Sequence, residues 1–156
     1  MIALGSDHAG LGLKNQIAQM LKDLDMRYID YGTYDETRCN YPEFGYKAAV
    51  AVANGECDRG IVFCGSGIGI SLAANKVKGI RCAVCSEPYS ALLSRQHNDT
   101  NMLALGSRVV GPELAKMIVR MWLNGKFEGG RHANRIAQIM EIEKGSLDLN
   151  NSKRKS

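Results

Sequence analysis

Aromatic residues make up only 6% of this 156-residue chain: one tryptophan, three phenylalanines and six tyrosines. A nucleic-acid surface interleaves such rings with a folded basic patch, and this chain has little of either. Its net charge of +4 owes three charges to Lys153, Arg154 and Lys155 in a polar tail, which leaves the body near +1. No apolar run approaches the roughly 18 to 20 residues that cross a bilayer. Met1–Asp7 has no basic leader and reaches an acid too soon for a signal peptide, so neither a membrane nor a secreted protein is expected. The five cysteines (Cys39, Cys57, Cys64, Cys82, Cys85) are odd in number and irregularly spaced. Cys82 and Cys85 form a C-x-x-C without the second pair that a zinc knuckle needs, and read as small buried thiols of a reducing cytoplasm. Internal repeats and dividing linkers are also missing.

What remains is an ordinary soluble composition, 45% hydrophobic and 23% charged, in one domain-length chain. Short apolar strands alternate with amphipathic helices. Ile2–Gly5 reads as a strand, followed by a helix from about Leu11 to Leu24 whose Leu13, Ile17, Met20, Leu21 and Leu24 recur at three- and four-residue spacing. A second strand over Arg27–Tyr31 leads into a turn-rich loop, 32–40. Pro42 opens a helix that runs to about Asn54 and stops at Gly55. Gly60–Cys64 is a third strand, apolar enough to be buried on both faces. After the glycine-rich Gly65–Gly69, a short helix reaches about Asn75. Strands at Ile80–Val84 and Met102–Leu105 enclose a helix from Pro88 to about Gln96. Pro112–Leu123, with Leu114, Met117, Ile118 and Met121 on one side, and Arg131–Glu143 are the last helices. The alternation predicts an α/β fold: a single-domain, Rossmann-like three-layer sandwich with a central five-stranded parallel sheet and helices on both faces. The domain is expected over 1–145, with 146–156 a polar, basic, frayed tail.

Ligands in such folds sit at the carboxyl ends of the strands. That rule singles out Ser6–Gly10, Cys64–Gly69 and the segment Gln96–Asp99, expected together on one sheet edge. Glycines at 65, 67 and 69 let backbone approach an anion. The loop is not a dinucleotide fingerprint, because Ile70 stands where a glycine is needed, although Glu87 lies where a ribose-binding acid could be. It lacks the Gly-Lys-Ser/Thr of a phosphate-cradling nucleotide loop as well. Cys64 is either a small buried hydrophobe or a thiolate stabilised by nearby amide groups and by Ser66, suited to removing a proton beside a carbonyl. Asp7 and His8 cap a helix or hold a ligand, and His97 and Asn98, at a helix end, carry the same ambiguity. Arg131 and Arg135 share one helix face, and together with Arg108 suit a phosphate.

The strings Gly5-Ser6-Asp7-His8-Ala9-Gly10, Asn40-Tyr41-Pro42, Cys64-Gly65-Ser66-Gly67-Ile68-Gly69, Ala73-Ala74-Asn75-Lys76, Gly79-Ile80-Arg81, Ser94-Arg95-Gln96-His97-Asn98-Asp99, Gly106-Ser107-Arg108 and Phe127-Glu128-Gly129-Gly130-Arg131-His132 closely resemble ribose-5-phosphate isomerase type B. That group also holds galactose-6-phosphate isomerase subunits, and the similarity spans about residues 1–143. The resemblance implies an aldose–ketose isomerase of the non-oxidative pentose phosphate pathway, interconverting D-ribose 5-phosphate and D-ribulose 5-phosphate through an enediolate. Cys64 would be the proton-moving base, with Ser66 and Asp7 assisting, and Gly65, Ser66, Gly67, Ile68 and Gly69 would form the anion hole. His97 would open the furanose ring, and Asp7 and Asn98 would contact sugar hydroxyls. His8, Arg108, Arg131 and Arg135 would hold the phosphate, and Tyr41 would pack on the sugar. The resemblance further implies a cytoplasmic homodimer or homotetramer with sites shared between subunits, working without cofactor or metal. Family members commonly carry threonine at the position of Ser66; serine keeps the hydroxyl with freer orientation. A six-carbon sugar phosphate as substrate, a non-catalytic phospho-ligand sensor and a nucleotide-binding redox module are the competing readings.

Overall fold

The computed structural model describes residues 1–146. The expected tail lies, beyond Ser146, outside the described residues. Strands β1 (Ile2–Ser6), β2 (Tyr28–Asp30), β3 (Arg59–Cys64), β4 (Cys82–Val84) and β5 (Met102–Gly106) alternate with helices. These are α1 (Leu11–Asp23), α2 (Tyr41–Ala53), α3 (Ile68–Ala74), α4 (Pro88–Asn98) and α5 (Pro112–Asn124), and α6 (Arg131–Glu143) closes the chain. The sheet is wholly parallel in the order β2-β1-β3-β5-β4. The chain winds outward from β1 to β2 and then crosses back to β3, so the order reverses between β1 and β3. The crevice beyond their carboxyl ends is where a fold of this kind offers a binding site.

Two apolar clusters, one per face, explain the layering. One gathers Leu13, Ile17 and Leu21 of α1 with Ile118, Val119 and Trp122 of α5 against Leu4, Ile61, Phe63 and Leu105. The other packs Ala48, Ala49 and Val52 of α2 and Ile70 of α3 against Ala3, Val62, Met102 and Ala104. Central β3 is therefore covered on both sides, as its unbroken apolar run requires. The face of α5 differs from the sequence reading: Leu114, Met117 and Met121 are exposed, while Ala115, Ile118, Val119 and Trp122 point inward. Both stripes have helical spacing, and the inner one contains the residue that fixes the choice. Trp122 Nε1 donates to Thr100 Oγ1 at 2.9 Å, which satisfies the indole only when it is turned to the core.

Lys14 falls on the buried face of α1, between Leu13 and Ile17, and its side chain is fully enclosed. Its ammonium donates to Asp30 Oδ1 at 2.7 Å and to the Thr33 carbonyl at 2.6 Å. The pair fastens the start of the 32–40 loop to the end of β2. Replacing Lys14 with methionine keeps the volume and leaves Asp30 without its cation. The expected cost is about 2 kcal/mol, below that of a fully buried pair because Asp30 is partly solvated. Urea denaturation of the two proteins measures it.

Candidate active site

Three loops meet at the carboxyl edge. Asp7, buried, donates its N–H to the Phe63 carbonyl at 3.2 Å and accepts from the Gly10 N–H at 2.9 Å on Oδ1. This is partly the capping role that the sequence allowed, and it leaves the other carboxylate oxygen to a ligand. His8 accepts the Cys39 backbone N–H on Nδ1 at 3.2 Å, which places its own proton on Nε2 as a donor. The 32–40 loop thus orients His8, a link invisible in the sequence because 31 residues separate the partners. Ser107 ties the strand ends together, its hydroxyl donating to the Ala9 carbonyl at 2.7 Å.

Cys64 ends β3 with only 4% of its surface exposed, and its Sγ accepts the Gly67 N–H at 3.2 Å. Gly67 is left-handed (φ 79°), and a Cβ there would come within 2.9 Å of the Leu105 carbonyl carbon, so only glycine turns the chain this way. The Ser66 hydroxyl accepts the Ile68 N–H at 3.3 Å. Gly69 lies in the first turn of α3, where amides lack intrahelical acceptors. A Cβ on it would stand 2.5 Å from the Tyr41 ring, so Tyr41 leans directly on the glycine loop. Arg108 lies over Gly65, its Cδ 3.6 Å from where a Cβ would be. Three of the other thiols are poor candidates for chemistry: burial pushes Cys82 and Cys57 up from the ordinary thiol range, and Cys85 up to about 11. Glu87 is committed elsewhere, capping α4 by accepting from Tyr89 N and Ser90 N at 2.6 and 2.7 Å. That removes the acid a dinucleotide ribose would need.

His97, Asn98, Arg131 and Arg135 are not there. A helix that follows a parallel strand returns to the amino edge of the sheet, and His97 and Asn98 close α4. The Gly60 N–H donates to the Asn101 carbonyl, and Met102 pairs with Gly60 at the start of β3, whereas Cys64 pairs with Gly106 at its far end. The intervening strand alone spans roughly 13 Å at 3.3 Å per residue. The expectation that His97 and Asn98 converge with Cys64 on one edge of one chain is therefore corrected: the candidate residues fall into two groups on opposite edges, with Arg131 and Arg135 on the His97 side, as expected of arginines that serve a neighbouring subunit.

The group at the amino edge is firmly built. Asp99 ends α4 in a left-handed conformation (φ 44°, ψ 47°), and its carboxylate joins Arg95 at 2.9 Å and Arg81 at 3.0 Å. Arg81 also donates to the Asn98 and Asp99 carbonyls at 3.2 and 2.7 Å. The imidazoles of His97 and His132 stack at 4.2 Å with planes 2° apart. Glu128 Oε2 stands 3.7 Å from His97 Nε2 and 3.9 Å from His132 Nε2. These three residues could be mistaken for a metal site, since their ligand atoms lie within 4.8 Å of one another. Imidazole donates in its ring plane, and two parallel stacked planes share no point where a cation could meet both lone pairs. Burial foremost, then His97, Arg131 and Arg135, holds the His132 imidazole below the usual histidine range. Glu128 and His132 escaped the sequence reading as site residues, although both lie in a string it quoted.

Residues 2–139 match the family model described as Ribose/Galactose Isomerase. The chain is 58% identical to "Ribose-5-phosphate isomerase B" of Escherichia coli (strain K12) over 142 residues, 91% of this chain and 95% of that protein. Among solved structures, ribose-5-phosphate isomerase B of Clostridium thermocellum superposes with a TM-score of 0.92 at 57% identity, covering 94% of this chain and 99% of that one. The enzyme of Mycoplasma genitalium, solved with bound ribulose 5-phosphate, gives a TM-score of 0.87 at 41% identity, covering 92% and 95%.

Proposed function

Because the chain belongs to the ribose/galactose isomerase family, we propose that it interconverts D-ribose 5-phosphate and D-ribulose 5-phosphate in the non-oxidative branch of pentose phosphate metabolism. The observation that carries this is a buried cysteine whose sulfur accepts a loop amide, set beside glycines that leave room for a developing oxyanion. Cys64 takes the C2 proton of the open-chain aldose. The resulting enediolate is held by the loop amides and the Ser66 hydroxyl, and the proton returns to C1. One proton also passes from O2 to O1, beside Ser66 and Asp7. His97 first protonates the ring oxygen of the closed sugar. Asp7 and Asn98 bind hydroxyls and Tyr41 packs on the chain of carbons. His8 Nε2–H, Arg108, Arg131 and Arg135 surround the phosphate. Serine in place of the commoner threonine at 66 changes the rate slightly and the chemistry not at all.

The two half-sites come together only between two copies of the chain. A two-fold dimer places the His97 edge of each subunit over the Cys64 edge of the other, making two sites per dimer. The surface supports such an assembly: Ile68, Leu72, Val84 and Val109 are exposed around the glycine loop, and Ile139 and Ile142 of α6 are exposed as well. Five free thiols fit a reducing compartment such as the cytoplasm. Among the described residues no helix is long and apolar enough to cross a membrane.

The test is ketose formation from ribose 5-phosphate by the purified protein, beside galactose 6-phosphate and allose 6-phosphate. Turnover of the pentose is the expected result. Turnover of a hexose alone would change the substrate and keep the mechanism. Inertness of a folded protein toward all three would leave a phospho-ligand sensor.

A further inference from the structure

We infer that Glu128 and His132, through the carboxylate oxygen that faces both imidazole Nε2 atoms, are positioning residues that keep the working proton on His97. The inference rests on the proposed isomerase reading for what that proton is used for, and on geometry for where it sits.

Two imidazoles stacked in parallel at 4.2 Å cannot both be cations without strong repulsion, so a proton on one ring disfavours a proton on the other. Two features decide which ring has it. His132 is buried, on the same helix as Arg131 and Arg135, and every one of those neighbours disfavours its charged form. His97 is a third exposed in the single chain, on the edge that faces the sugar in the proposed dimer. Glu128 then supplies the compensating negative charge, at 3.7 Å from His97 Nε2 and slightly farther from His132. Its position is fixed by its backbone, because the Glu128 N–H donates to the Gln96 carbonyl at 2.9 Å, next to His97 itself. The remaining charges around the pair do not substitute for it. On α4, Arg95 and Asp99 pair with each other; Arg81 joins the same carboxylate; and α6 offers only Arg131 and Arg135. Among the described residues Glu128 is the one carboxylate within 4 Å of the His97 ring.

The arrangement separates two identical side chains into two roles. His132 is the neutral stacking partner that fixes the plane of the His97 ring. His97 is the ring left to pass a proton to a furanose oxygen. Neither Glu128 nor His132 needs to touch the sugar.

The experiment uses the assembled full-length enzyme and Glu128→Gln, a half-exposed loop position where folding is not at stake. Its three histidines make ¹⁵N imidazole spectra simple to assign. As pH is lowered, the wild-type protein should show the imidazolium signature on His97 before His132. In Glu128→Gln the alkaline limb of the kcat profile for ribose 5-phosphate should move to lower pH by about half a unit, the effect of one lost charge at this distance under solvent screening. Glu128→Asp should restore part of it. A uniform drop in kcat with an unmoved limb would reduce Glu128 to a structural part and overturn the inference. So would an imidazolium found first on His132. Should the wild-type enzyme ignore ribose 5-phosphate, the isomerase reading fails by itself, and the nitrogen spectra still decide where the proton sits.

Discussion

Cys64→Ala should lower kcat for ribose 5-phosphate by about 10³- to 10⁴-fold, because the base proposed to move the carbon-bound proton is gone. Binding should hardly change. The residues proposed to hold the phosphate are His8, Arg108 and the α6 arginines rather than Cys64, so a phosphate-bearing inhibitor should bind within about threefold of wild type. The isosteric Cys64→Ser guards against a trivial explanation. Its hydroxyl still accepts the Gly67 N–H that the sulfur accepts at 3.2 Å, which preserves the loop. Serine ionises far less readily than cysteine, and this variant should be almost as slow as the alanine one. Activity retained in both would move the base elsewhere.

His97→Ala has the second large effect, and its size depends on the substrate. For ribose 5-phosphate, which rests mainly as a closed furanose, the loss should be about 10²-fold or more, the usual worth of a positioned acid. D-erythrose 4-phosphate cannot close that ring, since its C4 oxygen is phosphorylated. Its turnover should fall by less than about threefold, for only a positioning contact is lost. Equal losses on both sugars would take ring opening away from His97. The comparison isolates one step, which the pentose alone cannot do.

Much of the fold was legible because its signals are physical and redundant. Gly60–Cys64 is apolar without interruption, so it had to be a strand covered on both faces, and it is. Pro42, Pro88 and Pro112 each stand in the first turn of a helix. The β2 and β4 boundaries shrank by one or two residues at the ends, where pairing to a single neighbour leaves little to define a ladder. On α5 two apolar stripes competed, and the bond from Trp122 to Thr100 settled what spacing could not.

The sequence singles out the candidate residues, and the structure divides them between two edges of the sheet. Asp7, His8, Tyr41, the glycine loop and Arg108 do share the carboxyl edge, because they follow the carboxyl ends of β1, β2, β3 and β5. His97 and Asn98 were put there on proximity to β5 in the chain. The sign of a helix's direction argues otherwise: α4 leaves the carboxyl edge and must finish at the amino edge. Lys14 could have been noticed as a charge within the apolar stripe of α1. Glu128 and His132 had no such mark, since their importance comes from a partner more than thirty residues earlier in the chain.

The division of the site between two copies is the central claim, and mixed dimers test it directly. Cys64→Ala and His97→Ala subunits, each nearly inactive alone, would be co-expressed in equal amounts, and mixed dimers isolated through two different tags. Each mixed dimer then contains one site with both substitutions and one with neither. An equimolar population, half of it mixed, should regain about a quarter of wild-type activity, and purified mixed dimers about half. Mixed dimers as inactive as their parents would mean that Cys64 and His97 do not serve the same sugar across the interface, and the assembly proposed here would be wrong.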